Sequence, residues 1–93
     1  MSEHVATTLS AALHRLLRPV ARICLRNGLP YGAFAEVARR VFVEVATEEF
    51  GLPGRKQSVS RVSVLTGLTR KEVSRLQELP PPPMERPAMA RLG

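Results

Sequence analysis

The chain has no aspartate, no tryptophan and a single cysteine; one tyrosine and three phenylalanines are its only aromatic residues. A lone Cys24 excludes an internal disulfide and any CxxC pair. Its place in an apolar helical run marks a buried, inert thiol rather than a nucleophile. The two histidines, His4 and His14, do not stand at metal-ligand spacing with Cys24 or with an acidic cluster. The glutamates are scattered along helix surfaces, where ion pairs account for them. GLPG at residues 51–54 lacks the GKS or GxGxxG pattern of a phosphate-cradling loop. No enzyme activity, metal or cofactor is expected. No apolar run approaches the roughly 18 residues of a membrane span. The polar N-terminus also lacks the basic-then-apolar pattern of a leader. These absences describe a cytoplasmic protein with no membrane partner.

What is present is positive charge. Fourteen Lys and Arg face eight acidic residues, for a net charge of +6 in 93 residues. Such a balance points to a polyanionic partner, either nucleic acid or an anionic membrane surface; the apolar face of the N-terminal helix lacks interfacial tryptophan and is better explained as core than as a membrane-lying face. The length allows one small domain without room for a catalytic one. A chain this short buries only about 60% of its unfolded surface, so added interface matters to its stability. With 44% hydrophobic residues and few aromatics, the core should consist of helices packed through Leu, Val and Ala.

The most structured signal is VSRVSVLTGLTRKEVSRLQE, residues 59–78. Val59, Val62 and Leu65, then Val73, Leu76 and Leu79, each follow helical spacing, and Leu68 lies in the break between them. Gly67 sits where a helix end often takes positive φ. Ser63 places a small side chain where two helices crossing steeply come close. Thr69 is an N-cap, with Glu72 three residues on as the other half of a capping box. Ser58 caps the preceding helix. Helix, glycine turn, helix is the motif that lays a second helix in the DNA major groove. With Val73, Leu76 and Leu79 turned inward, that helix presents Thr69, Arg70, Lys71, Ser74, Arg75 and Glu78. Arg and Lys donate to guanine edges or phosphates, and hydroxyls suit either. Arg55, Lys56 and Arg61 stand by for the backbone. From Arg55 to Arg75, six basic residues face one acidic residue, Glu72.

Two longer helices precede the motif. From Thr7 to Asn27, Leu9, Leu13, Leu16, Leu17, Val20, Ile23 and Cys24 trace one stripe, with Asn27-Gly28 as the stop. Pro19 should kink or break this helix. Opposite the stripe lie Arg15, Arg18, Arg22 and Arg26, with no acidic residue between Glu3 and Glu36. A second helix should run from Tyr31 to Phe50 behind Pro30, burying Tyr31, Phe34, Ala35, Ala38, Val41, Phe42 and Val45. Glu36 and Arg40 form an acid-before-base pair at four residues. Gly51 ends the helix, and Leu52-Pro53-Gly54 is a turn. Pro80 to Pro83 stop the last helix and stiffen the chain into a spacer. The divisions are a loose start over 1–6, a helical domain over 7–79 with the motif at 58–79, and a Pro-rich disordered tail over 80–93.

Through Val62, Ser63, Gly67, Leu68, Val73 and Leu76, residues 59–78 resemble the helix-turn-helix superfamily of bacterial regulators. More closely, LLRPVARICLRNGLPYGAFAEVARRVFVEVA and SRVSVLTGLTRKEVSRL resemble a family of uncharacterised bacterial proteins, with TGLTRKEV the most specific piece. That resemblance covers roughly two thirds of the chain and implies a helical, DNA-binding-like domain without implying an activity. Relatives run on past a Pro-rich break, which would make this chain an N-terminal piece or a short member. Thr66 departs from the wider superfamily, which usually has an apolar residue before the turn glycine.

The expectation is an all-α bundle of four or five helices with no β wing, binding duplex DNA as a transcriptional regulator. Thr69, Arg70, Lys71, Ser74 and Arg75 would contact bases or backbone, and Arg55, Lys56 and Arg61 phosphates; Val62, Leu65, Leu68, Val73 and Leu76 would be structural. One such helix makes few base contacts, so a homodimer on paired half-sites is expected. No small-molecule ligand can be inferred. The alternative is a non-enzymatic interaction module whose basic helical face binds an acidic protein.

Overall fold

A computed structural model describes residues 2–51 and 57–80. The turn expected over Leu52-Pro53-Gly54, the pair Arg55 and Lys56, and the tail beyond Pro80 lie outside the described residues. All regular structure among the described residues is helical: α1 (Glu3–Arg26), α2 (Tyr31–Glu49), α3 (Val59–Thr66) and α4 (Arg70–Gln77). The all-α expectation holds, with four helices and no strand among the described residues.

The helix ends follow local capping chemistry. α1 starts at Glu3, ahead of the expected Thr7, because the Ser2 hydroxyl accepts the Val5 N–H at 3.2 Å and Glu3 stands in the first turn. It stops where Asn27 caps the last turn and Gly28 takes φ 73°. Pro19 neither ends nor divides it. Proline deletes one backbone donor, and both Pro19 and Arg15 are exposed, so the helix loses one internal hydrogen bond on a side open to solvent rather than inside the core. α2 starts directly after Pro30, whose carbonyl accepts the N–H groups of Ala33 and Phe34.

The chain divides into two compact units, residues 1–38 and 39–93, and α2 contributes to each. In the first unit none of the described residues is buried. The C-terminal part of α1 and the start of α2 border an open apolar cleft of about 260 Å³, between Leu17, Val20 and Cys24 on one side and Leu29, Tyr31 and Phe34 on the other. Cys24 is half-buried there.

The second unit holds the core: Val43 and Ala46 from α2, Val62 from α3, and Val73 and Leu76 from α4, with Val59, Leu68 and Leu79 packed against them. This corrects the expected buried face of α2. Tyr31, Val41 and Phe42 are exposed, while Phe34, Ala35, Ala38 and Val45 are only half-buried. α2 is apolar around most of its circumference, so spacing alone could not say which side turns inward. Leu65, expected to be structural, is 44% exposed and lines an apolar groove of about 360 Å³ with Phe42 and Phe50. Among the described residues Gln57 is the buried polar one, packed so tightly on Gly51 that a Cβ there would collide with its side chain.

Candidate nucleic-acid interface

The segment from α3 to α4 is fixed by hydrogen bonds that its sequence encodes almost residue by residue. The Ser58 hydroxyl accepts the Arg61 N–H at 3.1 Å and opens α3. Gly67 closes it with φ 79°, its N–H donating to the Ser63 carbonyl at 2.9 Å. The Ser63 hydroxyl then donates to the Leu68 carbonyl at 2.6 Å, so Ser63 ties the turn as well as leaving space. Thr69 caps α4 by accepting the Glu72 N–H at 3.1 Å.

Thr66, the departure from the usual apolar pattern, has a function in this turn. Its hydroxyl donates to the Val62 carbonyl at 2.8 Å and accepts the Leu68 N–H at 3.2 Å. An apolar residue would leave that part-buried N–H without its acceptor. Thr66→Val is near-isosteric, and it should cost about 1–3 kcal/mol by orphaning the donor. Urea denaturation should show a lower midpoint with an unchanged slope. An unchanged midpoint would mean the Thr66 hydroxyl is dispensable.

α4 is split lengthwise. Val73 and Leu76 are 0% and 4% exposed, while Thr69, Arg70, Lys71 and Arg75 face outward and Ser74 is half-buried. Neither Arg70 nor Lys71 has an ion-pair partner among the described residues. Arg75 differs. Its Nη2 and Nε meet the two carboxylate oxygens of Glu72 at 2.6 and 3.1 Å, a fork-on-fork pair. Arg39 of α2 adds its Nε to the same carboxylate at 3.3 Å. Sequence reading missed Arg39, which lies far from Glu72 in the chain and carries no local signal. Arg61 is exposed at the first turn of α3, and its guanidinium donates to the Phe50 carbonyl at 3.3 Å. Arg40 pairs with Glu44 at 3.5 Å and donates to the Pro80 carbonyl, which ties the end of the α4 segment back to α2. Of the phosphate candidates, Arg61 is thus placed beside the core, whereas Arg55 and Lys56 fall outside the described residues.

No group of three or more His, Cys, Asp or Glu side chains that could hold a metal occurs among the described residues. No helix among them is long and apolar enough to cross a membrane.

The described residues define an all-α protein in which the cationic helix α4 is anchored in a core shared with α2 and α3. Residues 6–85 match a family described as a family of unknown function (DUF6502), and the chain belongs to that family. No curated protein and no solved structure matches it.

Proposed function

We propose that this protein binds duplex DNA through α4, as a bacterial transcriptional regulator or the N-terminal domain of one, in the cytoplasm and without catalysis. The observation that carries the reading is the division of α4 into an apolar side sunk in the core and an exposed side bearing Arg70 and Lys71. Side chains of this kind, held on a helix whose own position is fixed, are what groove recognition uses. Arg70 and Lys71 donate to guanine edges or phosphates, Thr69 and Ser74 hydroxyls to either, and Arg61 to a phosphate beside the motif. Arg75 contributes less than its position suggests, because Glu72 already holds it.

Titration of random-sequence duplex at rising salt tests the electrostatic part. The logarithm of affinity should fall with the logarithm of salt with a slope of about −0.9 per phosphate neutralised. Lys71→Ala should flatten that slope by about one if Lys71 contacts phosphate. Selection from a random DNA pool then yields the preferred site, on which Arg70→Ala should cost about 1–3 kcal/mol. Affinity that does not respond to salt would defeat the proposal. It would favour a non-enzymatic interaction module, supported by the exposed stripe Arg15, Arg18, Arg22 and Arg26 on α1.

A further inference from the structure

The Glu72 carboxylate lies where cations from two helices converge. Arg75, one turn further along α4, sets its Nη2 at 2.6 Å from Oε1 and its Nε at 3.1 Å from Oε2. Arg39 arrives from α2, with its Nε 3.3 Å from the same Oε1. That Nε atom is buried, so an anion in front of it is a condition for keeping the guanidinium in place. We propose that Arg39 and Arg75 together form a phosphodiester site, which Glu72 fills in the free protein and yields to a backbone phosphate of duplex DNA. This site rests on the DNA-binding reading and adds Arg39, on a second helix, to the contact surface.

Shape favours exchange over a permanent ion pair. A carboxylate and a phosphodiester each offer two charged oxygens to the flat edge of a guanidinium, which binds both in the same two-pronged manner. A phosphate oxygen placed at Oε1 would meet Arg75 Nη2 and Arg39 Nε without any change in the course of α2 or α4. Access favours it too. The side chains of Arg39, Glu72 and Arg75 are 39%, 27% and 44% exposed. Ion pairs this open to water contribute little to stability, so opening one costs little.

The displaced carboxylate also has a destination. Glu72 is the third residue of α4, and a glutamate there can accept from the N–H of the cap residue, Thr69. Position completes the case. Lys71 stands four residues before Arg75 and is therefore its neighbour on the helix surface, which sets the site beside the cations already proposed to face DNA.

A mutant cycle on the full chain tests this, with random-sequence duplex as the probe at fixed low salt. Each variant is compared under conditions where circular dichroism shows it folded. Glu72→Gln keeps the side-chain length and an oxygen acceptor for Arg39 while removing the competing charge. It should bind duplex about tenfold more tightly than the parent, the scale of one charge-assisted hydrogen bond. Glu78→Gln removes the same charge at the exposed end of the same helix, and should gain less than about threefold. In the parent, Arg75→Ala deletes the phosphate contact together with the hold of Glu72 on it, so affinity should change by less than about threefold. In Glu72→Gln, Arg75→Ala or Arg39→Ala should each cost about tenfold, a non-additivity that a plain change of net charge cannot produce.

Equal losses from Arg75→Ala in both backgrounds overturn the site, as do equal gains from Glu72→Gln and Glu78→Gln. A parent whose duplex binding responds to salt, beside a Glu72→Gln that gains nothing, overturns the site and leaves the DNA-binding reading standing. If neither protein binds duplex in a salt-dependent way, that reading falls and the site falls with it.

Discussion

Val62→Asp should abolish cooperative unfolding of the second unit and all binding that depends on α4. Val62 is 0% exposed and meets Val43 and Ala46 of α2 and Val73 and Leu76 of α4 in one cluster. A carboxylate there has no described cation within its cluster and would be stranded in apolar surroundings, or would take up a proton to avoid it. Burial of an unpaired charge costs several kcal/mol. Native domains hold only about 5–15 kcal/mol in reserve, and small ones sit at the low end. Among the described residues the unit's core cluster has five buried apolar side chains, too few to absorb such a loss. Thermal denaturation followed by circular dichroism should lose its sigmoidal transition. A variant that still melts cooperatively near the parent's temperature would show that the cluster is not the stabilising centre.

The second large effect is expected at the turn. Gly67 has φ 79°, and nothing lies within 4 Å of where a Cβ would stand. Crowding is therefore not the obstacle; handedness is. An L-residue in this region costs roughly 1–2 kcal/mol, and a β-branched one more. Gly67→Val should lower the melting temperature by at least about 4–8 °C per kcal/mol lost. Because it would also shift Leu68 and Thr69, it should weaken the proposed DNA binding beyond what stability explains. Gly67→Asn supplies the control, since asparagine tolerates this conformation and should retain most of both properties. Equal loss in the two variants would mean that something other than backbone handedness is at stake.

The α3–α4 segment was legible because its determinants are local. Ser58, Gly67 and Thr69 each act on a group within three or four residues, and all three do what their positions imply. The face of α2 was not legible. A helix carrying Val37, Val41 and Phe42 as well as Val43 and Ala46 has apolar residues on more than one side, and only tertiary packing picks one. Pro19 does not break α1 in two, since a single lost hydrogen bond on an exposed stretch is a small penalty beside the rest of a 24-residue helix. The early start of α1 was signalled by Ser2 and Glu3, a cap and an acidic first-turn residue that a stripe-based reading passes over. Of the candidate contacts, Arg70 and Lys71 stand where the spacing put them. Arg75 does also; its pairing with Glu72 three residues earlier is local and follows from helical spacing, whereas the arrival of Arg39 depends on three-dimensional proximity.

The shared carboxylate of Glu72 has a consequence for selectivity. Two guanidinium groups compensate one negative charge, so the trio keeps a surplus positive charge without offering a vacant cation. If α4 meets a polyanion as proposed, a lone monoanion would have to compete with the oxygen pair already seated on Arg75, whereas a polymer gripping Arg70 and Lys71 first would bring its next charge alongside at high local concentration. On that proposal Glu72 would favour a continuous strand over small anions at this arginine.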